Sequence, residues 1–178
     1  MPHSCETAPF SIAFQSQAEM EKFAALLSKS VSLGNCFALH GEMGVGKSTF
    51  ARAFIRAYCD DAEMEVPSPS FAILQNYGEN FELFHYDLWR LDEGSSLEEL
   101  DWEEAEKNIM LVEWPEHAGE DLPASTIHFF FSLEDGEDVE SPRVLRWQAP
   151  EAVAEKLLQI KENLISQRAE TSERYVAD

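Results

Sequence analysis

Directly after the apolar run Cys36–Leu39, and running into a helical pattern that begins at Lys47, comes the segment HGEMGVGKSTF, residues 40–50. Gly41, Gly46, Lys47 and Ser48 stand in the order G-x-x-x-x-G-K-[ST]. Glycines at 41, 44 and 46 let the backbone turn without Cβ clashes, so that successive N–H groups can converge on an anion at the positive end of the following helix. The run Asn35–His40 reads as a short buried strand, and Lys47–Tyr58 as a helix with Phe50, Phe54 and Ala57 on one face. Strand, loop and helix therefore follow in the order a phosphate-binding loop needs. Gly41, Glu42, Met43, Gly44, Val45 and Gly46, with Lys47, Ser48 and Thr49 opening the helix, form the candidate cradle for a nucleoside triphosphate. Lys47 supplies a cation for the terminal phosphates, and the Ser48 hydroxyl a ligand for Mg²⁺. The plain alternative is a glycine-rich turn that happens to precede a lysine.

The rest of the chain is consistent with one α/β domain of the P-loop NTPase type, a mixed central sheet with flanking helices. A length of 178 residues suits one domain. Residues 1–10 read as a loose arm, 11–149 as the phosphate-loop domain, and 150–178 as a C-terminal helical extension. An amphipathic helix is expected over Ala18–Ser30, with Met20, Phe23, Ala24 and Leu27 at helical spacing. Phe71–Tyr77 and Phe81–Leu88, separated by Gly78–Asn80, read as an antiparallel hairpin. Leu97–Lys107 reads as a helix and Asn108–Trp114 as a buried strand ended by Pro115. Further strands are expected at Thr126–Leu133 and Val144–Trp147, on either side of the acidic turn Glu134–Asp138. Pro150 opens a helix with Val153, Leu157, Ile160 and Leu164 on one stripe.

Charge narrows the partners. Thirteen Lys and Arg against 34 Asp and Glu give a net charge of −21, which repels phosphodiester backbones. If nucleic acid is involved, a partner is expected to hold it; acidity that serves solubility alone is the other reading. No apolar run can span a bilayer, and the N-terminus lacks the basic and apolar segments of a signal, so the expected compartment is the cytoplasm, with no membrane contact. Cys5, Cys36 and Cys59 are odd in number and widely spaced, which argues against a disulfide framework or a zinc site.

Three more polar clusters could carry chemistry. In Val66–Phe71 two prolines present Ser68 and Ser70 on a loop, where a hydroxyl could reach a γ-phosphate or its metal; an ordinary Pro-rich connection is the alternative. In His85–Arg90, strand alternation sends His85 and Asp87 to one face and Tyr86 and Leu88 to the other. Asp87 could orient water or hold the metal, with Arg90 pairing to it or to phosphate, or the group could be a surface network. Ile109–Val112 is an apolar run closed by Glu113, which could lie beside Mg²⁺ or be the strand's solvated end.

These clusters, in this order, resemble the bacterial TsaE (YjeE) family, the small ATPases of tRNA threonylcarbamoyladenosine biosynthesis. The family's phosphate loop is matched by Gly41–Ser48, its S-P-T-F segment by Ser68–Phe71, its H-x-D-x-Y-R by His85–Arg90 and its E-W-x-E by Glu113–Glu116. The likeness covers roughly residues 11–147. It implies ATP binding and Mg²⁺-dependent hydrolysis in support of TsaD and TsaB, which modify adenosine 37 of ANN-decoding tRNAs, so that tRNA is met only through the complex. Carried over, Lys47 would hold phosphates, Ser48 and Glu113 would serve Mg²⁺, and Asp87 would be the catalytic carboxylate, acting on water or on the metal. Ser70 stands where the family has threonine and keeps the hydroxyl, whereas Trp89 replaces a tyrosine and loses a phenol. Trp114 resembles the family tryptophan near the nucleotide, and Phe14–Ala18 the edge of the adenine side. A small P-loop kinase is a competing reading, but its Arg-rich lid is not visible among seven scattered arginines. A GTPase would need an N-K-x-D segment that the chain lacks. A third possibility is a binding subunit stabilised by nucleotide without hydrolysis.

Overall fold

The computed structural model describes residues 10–91, 96–134 and 141–176, with side chains described as far as residue 168. The expected arm at residues 1–9 and most of the acidic turn, residues 135–140, lie outside the described residues.

Seven strands form one mixed sheet: β1 (Phe10–Phe14), β2 (Cys36–His40), β3 (Leu74–Tyr77), β4 (Leu83–Asp87), β5 (Ile109–Glu113), β6 (Ile127–Leu133) and β7 (Arg143–Gln148). Their spatial order is β1-β7-β6-β2-β5-β4-β3. The inner block β6-β2-β5-β4 is parallel, and β3, β7 and β1 add on by antiparallel pairing. Being central, β2 has no solvated face, and its four residues Cys36–Leu39 are at most 1% exposed, which is why it reads as a continuous apolar run.

Helices α1 (Gln17–Ser28), α2 (Lys47–Tyr58) and α4 (Glu151–Val176) pack on one face, and the one-turn α3 (Trp102–Ala105) on the other. Phe37 and Leu39 of β2 meet Phe23, Phe50, Phe54 and Leu157 in the larger core, whereas Cys36 turns to Tyr86 and Trp102 in the smaller one. Burial pushes the Cys36 thiol up to about 12, so it serves as a small apolar filler. Phe37 is fully buried, with the rings of Phe54 and Phe129 at 5.6 and 5.7 Å. Phe37→Ala is expected to lower stability by about 3–5 kcal/mol, read from chemical denaturation of the two proteins.

The expected helices at the phosphate loop and after Pro150 form, and so does the antiparallel hairpin. Three expectations need correction. Phe10–Phe14 pairs with β7, so the sheet starts inside the segment read as an arm; the alternation Phe10, Ile12, Phe14 was its signal. The first hairpin strand begins only at Leu74, because Ile73 takes φ 66° and its N–H closes a turn onto Pro69 O at 2.6 Å. Leu97–Lys107 is not one helix: Leu97–Leu100 is a 3₁₀ turn, and Asp101, at φ 55°, breaks it from α3.

The segment Phe14–Ala18 has a structural role of its own. Ser16 caps α1 by accepting from Glu19 N–H at 3.2 Å, while the Glu19 carboxylate accepts from Gln15 N–H at 2.7 Å. The Arg168 guanidinium of α4 bonds the same carboxylate and, at 2.8 Å, Ala13 O. Burial pushes the Glu19 carboxyl up, yet these bonds outweigh it and hold the group below its ordinary value. One turn on, the Met20 side chain lies against Gly46, where a Cβ would meet its methyl carbon at 3.2 Å. Helix α1 thus braces the loop that follows β2.

Candidate functional site

Strand β2 hands the chain to Gly41, Gly44 and Gly46, whose φ values of 138°, 81° and 114° lie in the left-handed half of the map. At Gly41 the constraint is also one of space, since a Cβ would sit 2.7 Å from Phe131 O on β6. Gly41→Ala is expected to cost about 1–3 kcal/mol of stability and to weaken phosphate binding by displacing the loop, measured by thermal unfolding and by nucleotide titration. Val45 is buried and anchors the loop's middle. Among the described residues no side chain caps α2, and its first residues, Lys47, Ser48 and Thr49, line a cleft of about 280 Å³ with Met43, Gly44 and Gly46. A helix N-terminus with unclaimed side-chain caps favours an anion.

Parallel pairing brings the acids to this loop. Leu39 of β2 is opposite Glu113 of β5, and Glu113 is opposite Asp87 of β4, so the three strands end at one level. Glu113 is 1% and Asp87 4% exposed. The Ser48 hydroxyl donates to Glu113 Oε2 at 2.7 Å, and His85 Nε2 lies 2.9 Å from Glu113 Oε1. Asp87 Oδ2 accepts from the hydroxyl of Ser70 at 2.6 Å and of Ser68 at 3.3 Å, and Oδ1 from Trp89 N–H at 3.1 Å. The Pro-rich loop is therefore seated on Asp87, and the Asp87 acceptors are met by that loop and by Trp89. Arg90, expected beside Asp87 or phosphate, instead lies over the exposed ring of Phe71, 4.3 Å from its centroid.

Lys47 is folded onto its own loop, donating to Gly41 O at 2.5 Å and Glu42 O at 2.8 Å, with Nζ 4.0 Å from the centroid of the Trp114 ring. Burial pulls its ammonium below the ordinary lysine range, and Glu113, Glu116 and Asp87 pull it back up. Trp114 takes φ 57° and ψ 50°, a left-handed bend rare for a bulky residue. That bend turns the chain immediately after Glu113, and the indole meets Trp89 at 4.3 Å between centroids. Trp114 is thus both a packing group and a wall of the cleft.

One cleft therefore gathers Met43, Gly44, Gly46, Lys47, Ser48, Thr49, Ser70, Asp87, Glu113 and Trp114 of the residues singled out from the sequence. Gly41 and Glu42 join through the carbonyls that hold Lys47, and Val45 through the core. Trp89, noted from the sequence only as a departure from the family's tyrosine, also lines the cleft, and His85 and Ser68, noted beside Asp87 and Ser70 without an assigned role, bond its two carboxylates. A cation, a hydroxyl and two carboxylates around an anion-binding turn are suited to a phosphorylated ligand with a hard divalent metal.

Comparison with known proteins gives a consistent result. The model of the family described as "Threonylcarbamoyl adenosine biosynthesis protein TsaE" matches residues 14–141. A protein of Rickettsia conorii named tRNA threonylcarbamoyladenosine biosynthesis protein TsaE is 39% identical over 103 residues, 57% of this chain and 58% of its own. The protein of the same name from Rickettsia bellii is 34% identical over 122 residues, 67% of this chain and 84% of its own. Among solved structures, YdiB of Bacillus subtilis superposes with a TM-score of 0.63 at 21% identity, covering 90% of this chain and 96% of that one, a likeness of fold.

Proposed function

The chain belongs to the TsaE family, and from that premise we propose that it is an ATPase subunit of tRNA threonylcarbamoyladenosine biosynthesis, working in the cytoplasm with TsaD and TsaB. The observation that carries the reading is the bond between Ser48 and Glu113 at 2.7 Å, made beside Lys47 and level with Asp87. A hydroxyl after the phosphate-loop lysine, bonded to the acid that closes the neighbouring strand, is the donor pair that P-loop enzymes use for Mg²⁺.

The residues fit ATP with Mg²⁺. Oxygen donors from Ser48, Glu113 and Asp87 suit a hard cation that shares its shell with phosphate and water. Among the described residues no cluster of three or more His, Cys, Asp or Glu is placed to hold a metal ion, and the phosphate oxygens of bound ATP would supply further donors. At Gly41 the lack of a Cβ lets the loop lie against Phe131 O. Bound Mg²⁺ would neutralise charge on the terminal phosphates.

The chain's own groups do the rest. Lys47 would leave the carbonyls of Gly41 and Glu42 for phosphate oxygen, an exchange of neutral acceptors for an anionic one. N–H groups of Gly44–Thr49 bind the anion, and Trp114 screens Lys47 from water. Asp87, freed from Ser70, would orient the attacking water or take a place on the metal. Ser70 is then available to the γ-phosphate side of the cleft. No helix among the described residues is long and apolar enough to cross a membrane. With a net charge of −21, tRNA contact is assigned to the partners.

The test is phosphate release from ATP by the purified protein, alone and with purified TsaD and TsaB. Slow release that rises with the partners supports the reading. Equal release in both conditions, or none in either, refutes a coupled ATPase cycle.

A further inference from the structure

We infer that His85 is a positioning residue that fixes the Glu113 carboxylate for the metal, an inference resting on the assignment of Ser48 and Glu113 to Mg²⁺. On β4, His85 lies two residues before Asp87 on the same face, opposite Leu111 in the register with β5. Both side chains are buried, at 2% exposure each. The contact of 2.9 Å joins Nε2 to Oε1, while Ser48 is on Oε2.

A carboxylate only accepts, so the proton of this bond belongs to Nε2. His85 Nδ1 is buried and has no hydrogen-bond partner among the described residues. An imidazole with one ring nitrogen unpaired is a costly way to fill a core, because an apolar side chain of similar shape would leave no polar atom unmet. Its neighbours Leu83 on the same strand and Leu111 across from it show that the position sits among apolar groups. What the imidazole adds there is a donor to Glu113.

The two bonds to Glu113 differ in what happens when a metal enters. The Ser48 hydroxyl would offer an oxygen lone pair to the cation, so its bond to Oε2 would have to re-aim around the metal. The His85 bond to Oε1 stays, and with it the orientation of Oε2. Without His85 the carboxylate can rotate about its last torsion, and the energy of ordering it falls on metal binding.

The experiment measures ADP affinity by calorimetry, with Mg²⁺ and with EDTA, for the wild type, His85→Ala and His85→Gln. Glutamine carries an amide N–H where histidine carries Nε2, so it keeps the donor without the ring. The wild type is expected to bind more tightly with Mg²⁺. In His85→Ala that tightening should shrink by about tenfold while affinity in EDTA is unchanged, and His85→Gln should restore most of it. A full Mg²⁺ effect in His85→Ala overturns the inference, as does a His85→Gln as impaired as His85→Ala, which would mean that the ring only fills space. If His85→Ala fails to fold, His85→Gln decides: retained tightening supports the donor role and lost tightening refutes it. No Mg²⁺ effect in the wild type overturns the metal assignment itself.

Discussion

Lys47→Ala should lower ATP turnover by roughly 10²–10³-fold, the usual loss when a preorganised charge on a transferring phosphoryl group is removed. The side chain is 4% exposed and held by two carbonyls and the Trp114 ring, so its ammonium is positioned before any ligand arrives. Little of its ordering remains to be done on binding. Removing it also takes from the cleft a cation that Glu113 and Asp87 act on, which makes the cleft more repellent to triphosphate. Nucleotide affinity should therefore fall together with turnover. Both are measurable on one preparation, by phosphate release and by calorimetry, with a melting curve to show that the fold persists. Turnover unchanged in this variant would refute the assignment of the cleft as the ATPase site.

Asp87→Asn should separate binding from hydrolysis. The amide oxygen can take the place of Oδ1 and accept from Trp89 N–H, and the NH₂ in the place of Oδ2 can donate to the Ser70 hydroxyl, so the Pro-rich loop keeps its seat while the negative charge is lost. Turnover is expected to drop by about 10²-fold or more, the scale set by loss of a group that orients or deprotonates the nucleophile, with ATP affinity little changed. Comparing this variant with the wild type in reconstituted threonylcarbamoylation with TsaD and TsaB tells a cycle from a scaffold. If modification persists while hydrolysis is gone, nucleotide stabilises the assembly and the cycle reading fails. If modification stops with hydrolysis, the cycle stands.

Much of this was legible in the chain because parallel strands buried on both faces and an amphipathic helix leave plain periodic signals. Cys36–Leu39 and Lys47–Tyr58 carried theirs without interruption, and the spacing of Gly41, Gly46, Lys47 and Ser48 told which end of the strand mattered. Local backbone events left no such signal. Ile73 and Asp101 adopt left-handed φ although neither is glycine, and periodicity has no term for a single bend imposed by tertiary packing. Pairings across the sheet were closed for another reason. That Glu113 is level with Asp87, and His85 bonded to Glu113, depends on the order β2-β5-β4, which a linear pattern does not specify. Arg90 shows the opposite error: proximity to Asp87 in sequence suggested an ion pair, whereas the guanidinium found the Phe71 ring.

The common level at which β2, β5 and β4 end has a consequence for how the chain can change length. Each strand residue advances about 3.3 Å and inverts the side-chain direction, so one residue inserted within β4 or β5 would carry Asp87 or Glu113 off its mark and onto the wrong face. Single-residue insertions and deletions should be barred from these strands. A one-residue insertion in the exposed stretch Asp60–Ala62, which follows α2 and joins no strand, should leave the acids in place.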